Sequence, residues 1–204
     1  MIDNFEKIRG LLSFKKDTYY FLQVIQRRKD KGNEGLFSES IQRYTKYITN
    51  LETLDKIKRD VQEICNIYNA RAYIELNPRS LKKYTFLMSE KLLERQRTGN
   101  FTNVYSIPNQ VALSEDTVDT KDLIPSRRWL LDIDDFSYLP EIEEWVKTND
   151  IKVVETLPTV SGYHMCIESF NYKKINIDFE KEIKLEKGST FCMKPNCNVL
   201  VLRN

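Results

Sequence analysis

The chemistry open to this chain is concentrated in two short stretches. The first, Leu130-Leu131-Asp132-Ile133-Asp134-Asp135, is an apolar run that ends in acids. In an extended strand, residues two apart project to the same face, so Asp132 and Asp134 point together while Leu131 and Ile133 enter the opposite layer. Two carboxylates held that close repel unless a cation sits between them. An all-oxygen pair suits Mg2+ or Mn2+, which take carboxylates together with water and substrate phosphates. The plainer reading is a strand end running into an acidic loop, since Asp135 continues the run.

The second stretch is Thr159-Val160-Ser161-Gly162-Tyr163-His164. A Ser-Gly turn at the start of an apolar strand brings a small hydroxyl, an approachable backbone and an imidazole into one place. Those groups suit a phosphate, to which the backbone N–H, the Ser161 hydroxyl and either nitrogen of His164 can donate. A histidine at a strand edge also serves as an ordinary structural hydrogen-bonder. His164 is the only histidine of the chain, which excludes mechanisms that need two, the HExxH metalloproteases among them.

A basic constellation stands beside these. Arg71 and Arg79 flank the segment RAYIELNPR, Lys82 and Lys83 follow on the first turn of a helix, and QRRKDKG supplies Arg27, Arg28, Lys29 and Lys31. Guanidinium forks and ammonium heads suit a triphosphate or a nucleic-acid backbone. Arg71 and Arg79 are candidates for nucleotide phosphate, and Arg27, Arg28, Lys82 and Lys83 for nucleic acid. Plain solvation accounts for Lys91 and Arg95. Tyr19, Tyr20, Tyr73 and Tyr163 offer rings for base stacking, a role that competes with packing.

The elements that must carry these residues follow from periodicity. An opening helix runs through about Phe14. Tyr19–Arg28 reads as a strand returning through Gln42–Ile48. From Leu51, apolar residues at steps of three and four mark a helix with Asn50 as its cap. Arg71–Leu76 alternates as a strand, and Ser80 caps a helix whose stripe Leu81, Tyr84, Met88 and Leu92 is expected to be buried. A helical segment over Asn103–Leu113 is expected to break at Pro108. Arg128–Asp134 is a strand, Leu139–Lys147 a helix, and Ile151–Leu157 and Tyr163–Ser169 are strands around the Ser-Gly turn. Asn176–Ile183 is weakly helical, and Thr190–Lys194 with Asn198–Leu202 reads as a closing hairpin. Interleaved helices and strands give an α/β or α+β class, with an antiparallel or mixed sheet flanked by helices.

Composition bounds the rest. A chain of 204 residues, 41% apolar and 30% charged, fits one domain, read as an N-terminal hairpin-and-helix lobe (1–70) packed on a core (71–204). The net charge of +2 conceals a split: residues 1–100 hold 20 Lys/Arg against 13 Asp/Glu, and residues 101–204 hold 12 against 17. Phosphate would favour the first half and a divalent cation the second. Cys65, Cys166, Cys192 and Cys197 lack CxxC spacing, so free thiols are expected rather than a disulfide framework or a zinc site. No apolar run is long enough to span a membrane and MIDNFEKIRG is too charged for a secretory signal, so a cytoplasmic location is expected.

In combination and order, LLDIDD and SGYH resemble two motifs of the archaeo-eukaryotic primase superfamily, the primase–polymerases, including uncharacterised phage-encoded members in which an RxYI-type strand precedes the acids. The resemblance covers about residues 70–204. It implies a primase–polymerase core in which Asp132 and Asp134 hold Mg2+ or Mn2+ and His164, with Ser161 and Gly162, meets the phosphate of an NTP or dNTP. The implied reaction is nucleotidyl transfer to a 3′-hydroxyl, on a DNA or RNA template. The family completes its metal site with a third acid after the histidine. Asp178, in NIDFEKEI, is the candidate here, although its context reads as a helix, and the last strand, CNVLVLRN, contains no acid. A non-catalytic nucleotide or nucleic-acid-binding module and a metal-dependent nuclease remain as alternatives.

Overall fold

A computed structural model describes residues 2–119, 127–170, 191–195 and 198–203. The class is α+β: every strand pairing is antiparallel, and the strands form two sheets. The larger has the order β1-β10-β4-β2-β3, formed by Ile2–Asp3 (β1), Asn198–Arg203 (β10), Arg71–Glu75 (β4), Thr18–Gln26 (β2) and Ile41–Ile48 (β3), with Arg79–Ser80 (β5) pairing beside β2. The smaller has the order β7-β8-β6-β9, formed by Val153–Pro158, Tyr163–Glu168, Arg128–Ile133 and Phe191–Pro195. The large sheet runs across the border expected at residue 70, because β4 and β10 complete it alongside β2 and β3.

Alternation along β2 sorts the large sheet into two faces. Tyr20, Leu22 and Val24 join Ala72 and Ile74 of β4 beneath helices α1 (Phe5–Leu11) and α2 (Leu51–Tyr68), which contribute Phe5, Ile8, Leu54, Ile57, Val61 and Cys65 to one core. On the other face, Tyr19 and Phe21 pack with Tyr47, Tyr84 and Ala112, beneath α3 (Leu81–Thr98) and α4 (Ile107–Leu113). Tyr19 and Tyr20 are fully buried, so they pack rather than stack on bases. The small sheet buries Leu131, Ile133, Met165 and Ile167 against Ile142, Trp145 and Val146 of α5 (Leu139–Thr148).

Local chemistry sets most boundaries as the sequence implies. The Asn50 side chain accepts the Thr53 N–H at 2.7 Å and so caps α2, and Ser80 caps α3. The helix Ile107–Leu113 takes Pro108 into its first turn rather than breaking there, since a proline at that place gives up no hydrogen bond. Two expectations fail. The stripe of α3 is half-buried at most: Leu81 and Tyr84 pack against the core beneath them and Met88 is half-buried, but no residue of this helix is fully buried and Leu92 is 45% exposed. The segments 191–195 and 198–203 do not pair as a hairpin, because β9 takes the free edge of β6 while β10 inserts between β1 and β4. The helix expected over Asn176–Ile183 lies outside the described residues. Among the described residues, no helix is long and apolar enough to cross a membrane.

Candidate functional site

The end of the large sheet's Tyr19–Phe21 face that carries Gln23 and Ile25, and the face of the small sheet away from α5, line a shared cleft of about 720 Å³. From the large sheet come Gln23, Ile25 and Arg27 of β2 and its extension, Arg71 and Tyr73 of β4 and Leu200 of β10, with Lys29, Asp30 and Ser40 from the β2–β3 connection. From the small sheet come Leu130, Asp132 and Asp134, then Thr159, Ser161 and His164. Strand parity explains the selection. Asp132 stands opposite His164 in the β6–β8 register, so both leave the sheet on the side away from α5, as the i, i+2 argument requires.

Asp132 is half-buried and Asp134 exposed. Asp135 is spent differently: its carboxylate accepts the N–H and the hydroxyl of Ser137 at 2.8 Å each, which holds it below the usual carboxylate range and caps the next turn. His164 is 8% exposed, its Nε2 lies 3.2 Å from Asp132 Oδ1, and its Nδ1 accepts the Leu200 N–H at 3.2 Å.

Gly162 is present for space. A Cβ built on it would fall 1.8 Å from the Ile133 carbonyl oxygen, so the turn rests its backbone directly on the end of the acidic strand. The turn is closed by Thr159, whose N–H donates to the Gly162 carbonyl at 2.8 Å and whose Oγ1 accepts the Gly162 N–H at 3.1 Å. The Gly162 N–H is thereby engaged inside the turn, and Thr159, Ser161 and His164 are the parts of the motif that line the cleft.

The facing wall is basic. Arg71 lies against Asp30 through Nε at 2.7 Å and a second contact from Nη2, while Asp30 is 4% exposed. Arg27 Nη1 approaches the Tyr73 hydroxyl at 3.5 Å. Arg203 stands opposite Arg71 in the β10–β4 register, and burial, reinforced by Arg71, pushes its pKa down. Around a single buried carboxylate there are thus three guanidiniums and the Lys29 ammonium. Arg28 turns into an adjoining depression and donates to the Ser38 carbonyl at 3.1 Å.

Arg79 is a correction. It is 1% exposed, 2.6 Å from Glu75, 2.7 Å from the Thr117 hydroxyl and bonded to the Ser114 carbonyl. It is an interior clamp that ties β4–β5 to the segment after α4, and it does not line the cleft. Burial pushes Glu75 up to about 7 against the opposing pull of Arg79. Lys83 donates to the Val118 carbonyl at 2.8 Å, and Lys82 and Lys83 lie on α3, outside the cleft lining. Asp178 lies outside the described residues.

Sequence reasoning missed Gln23, Asp30, Ser40, Leu200 and Arg203. Gln23 carried a signal, as a polar residue in the middle of an otherwise apolar strand. Asp30 carried none, since its partner lies 41 positions away.

The donor set fits a hard cation held by Asp132 and Asp134 with its other positions given to water and phosphate oxygens. It does not make a closed all-protein site, because no group of three His, Cys, Asp or Glu side chains gathers among the described residues. No family model, curated protein or solved structure matches the chain.

Proposed function

We propose that the cleft binds a nucleoside triphosphate with Mg2+ or Mn2+ and transfers its nucleotide to a 3′-hydroxyl, in line with the resemblance to primase–polymerases. One observation carries this reading: Asp132 and Asp134 stand on one wall of a single cleft, and Arg27, Lys29 and Arg71 on the other. A cation-bound polyphosphate has this polarity, with its metal toward carboxylates and its remaining oxygens toward guanidiniums.

A cation bound there would lower the pKa of the attacking hydroxyl and neutralise charge on the phosphates. The chain's own groups do the placing. Asp132 and Asp134 fix the cation end, Arg27 and Lys29 take the phosphate tail, and Ser161 offers a hydroxyl from the turn that lines the same cleft. The 3′-hydroxyl would give up its proton to water, its oxygen would bond to the α-phosphorus, the α–β bridging P–O bond would break, and pyrophosphate would carry away the electron pair.

A nucleotide-binding module without catalysis is the second reading, favoured by there being only two acids at the cation end among the described residues. Manganese titration with labelled dNTP and a primed template separates the cases. Primer extension that disappears in the folded Asp132→Ala/Asp134→Ala variant supports transfer, nucleotide retention without extension supports binding alone, and shortening of the primer without added nucleotide supports a nuclease. Extension undiminished in the double variant would sink the assignment.

A further inference from the structure

We infer that His164 is a positioning residue for Asp132, with its proton fixed on Nε2 by the Leu200 amide so that the carboxylate meets a cation already oriented. The inference rests on the reading of Asp132 as a cation ligand. It replaces the expectation that His164 touches phosphate.

A backbone N–H can only donate. Since Leu200 N–H points at His164 Nδ1 at 3.2 Å, that nitrogen presents its lone pair, and the neutral ring carries its hydrogen on Nε2. Nε2 stands 3.2 Å from Asp132 Oδ1, so the hydrogen-bearing nitrogen is the one that faces the carboxylate. The Nδ1 lone pair is then taken up by the Leu200 N–H, and Nε2, which carries the hydrogen, faces Asp132 rather than offering a lone pair to a metal. Ligating carboxylates fixed in this way bind more tightly, because their direction is set before the ion arrives.

The Leu200 N–H is available because β10 bulges. Leu200 stands opposite Tyr73 and Leu202 opposite Ala72, which leaves Val201 as the extra residue. Asn4, 1% exposed, holds the other side of the same residue: its Nδ2 donates to the Leu200 carbonyl at 3.1 Å and to the Pro158 carbonyl of β7 at 2.9 Å. The large sheet therefore grips the small one at this point through Asn4 and His164, and the orientation of Asp132 is a by-product of how the sheets meet.

Because the chain has one histidine, protein labelled with 15N-histidine gives a single imidazole in long-range proton–nitrogen spectra. Metal-free wild type is expected to show a bare Nδ1 and a protonated Nε2; the opposite tautomer, or an exchanging mixture, overturns the inference. Mn2+ binding without nucleotide, followed by the paramagnetic resonance of the free ion, is the second readout. His164→Leu should bind Mn2+ about tenfold more weakly, and His164→Gln, whose amide can donate from a similar position, should recover to within about threefold of wild type. Unchanged Mn2+ affinity in folded His164→Leu, with nucleotide binding lost, overturns the inference and returns His164 to phosphate. Absence of Mn2+ binding in wild type would instead remove the metal reading of the cleft, while the imidazole spectrum still decides the Leu200–His164–Asp132 chain.

Discussion

Gly162 lies against the Ile133 carbonyl so closely that a methyl group at its Cα would sit 1.8 Å from the oxygen. The atom in the way is backbone, in the strand that carries Asp132, so relief must come from moving either the turn or that strand. Gly162→Ala is therefore expected to lower stability by about 1–3 kcal/mol, the usual range for overpacking, and to weaken nucleotide and Mn2+ binding together. Urea denaturation and ligand titration check this; an alanine variant with wild-type stability would show that the turn is free to retreat.

Arg79 predicts a loss without a ligand. Arg79→Met leaves the Glu75 carboxyl, 2% exposed, without the guanidinium it contacts, which should destabilise the fold by about 3–5 kcal/mol. The double variant Arg79→Met/Glu75→Leu should recover much of that loss, since apolar replacement of a whole buried pair is often close to neutral. Chemical denaturation of both variants tests the point.

Glu75 also gives a pH dependence with a defined sign. Its folded-state pKa is raised from 4.5 to about 7, so between those values the folded protein holds a proton that the unfolded chain has lost. The contribution of this group is full below about pH 4.5 and falls away as pH rises through about 7. Denaturation midpoints of wild type and Glu75→Gln, compared from pH 4.5 to 7.5, should diverge with this slope present in wild type alone.

Arg27 and Arg71 share the cleft and predict different phenotypes. Among the described residues, the Arg27 guanidinium has only the 3.5 Å approach to Tyr73, so Arg27→Met should weaken nucleotide binding about tenfold, the value of one charge-assisted hydrogen bond, with little change in stability. Arg71→Met strands the buried Asp30 and should additionally destabilise the fold by about 3 kcal/mol or more. Parallel calorimetric titration and thermal melts distinguish the two.

What sequence alone disclosed was what strand and helix periodicity governs. The acids of β6 face the cleft because alternation demands it, and Asn50 and Ser80 cap their helices because an amide or hydroxyl in that place has a free N–H to accept. Pairing over long distances was opaque. Nothing in RAYIELNPR says that Arg71 faces a cleft while Arg79 is clamped inside by Glu75, Thr117 and Ser114, and nothing in KDKGNEG says that Asp30 is the buried partner. The split of β9 and β10 into different sheets was equally hidden, since each reads as a good strand and only tertiary competition decides which edge it joins. The apolar residues of α3 have helical spacing, yet only the Leu81–Tyr84 end of the helix packs against the core, and Leu92 lies beyond it.

The place of β10 between β1 and β4 governs the order of assembly. As the chain leaves the ribosome, β2, β3 and β4 can pair early, but the large sheet stays incomplete until residues 198–203 arrive and thread between strands made nearly two hundred and about one hundred and thirty residues before. Such distant pairings are slow. The same late strand brings Leu200 to His164, so the site is finished in the same step as the fold, and a chain cut short before β10 would have neither.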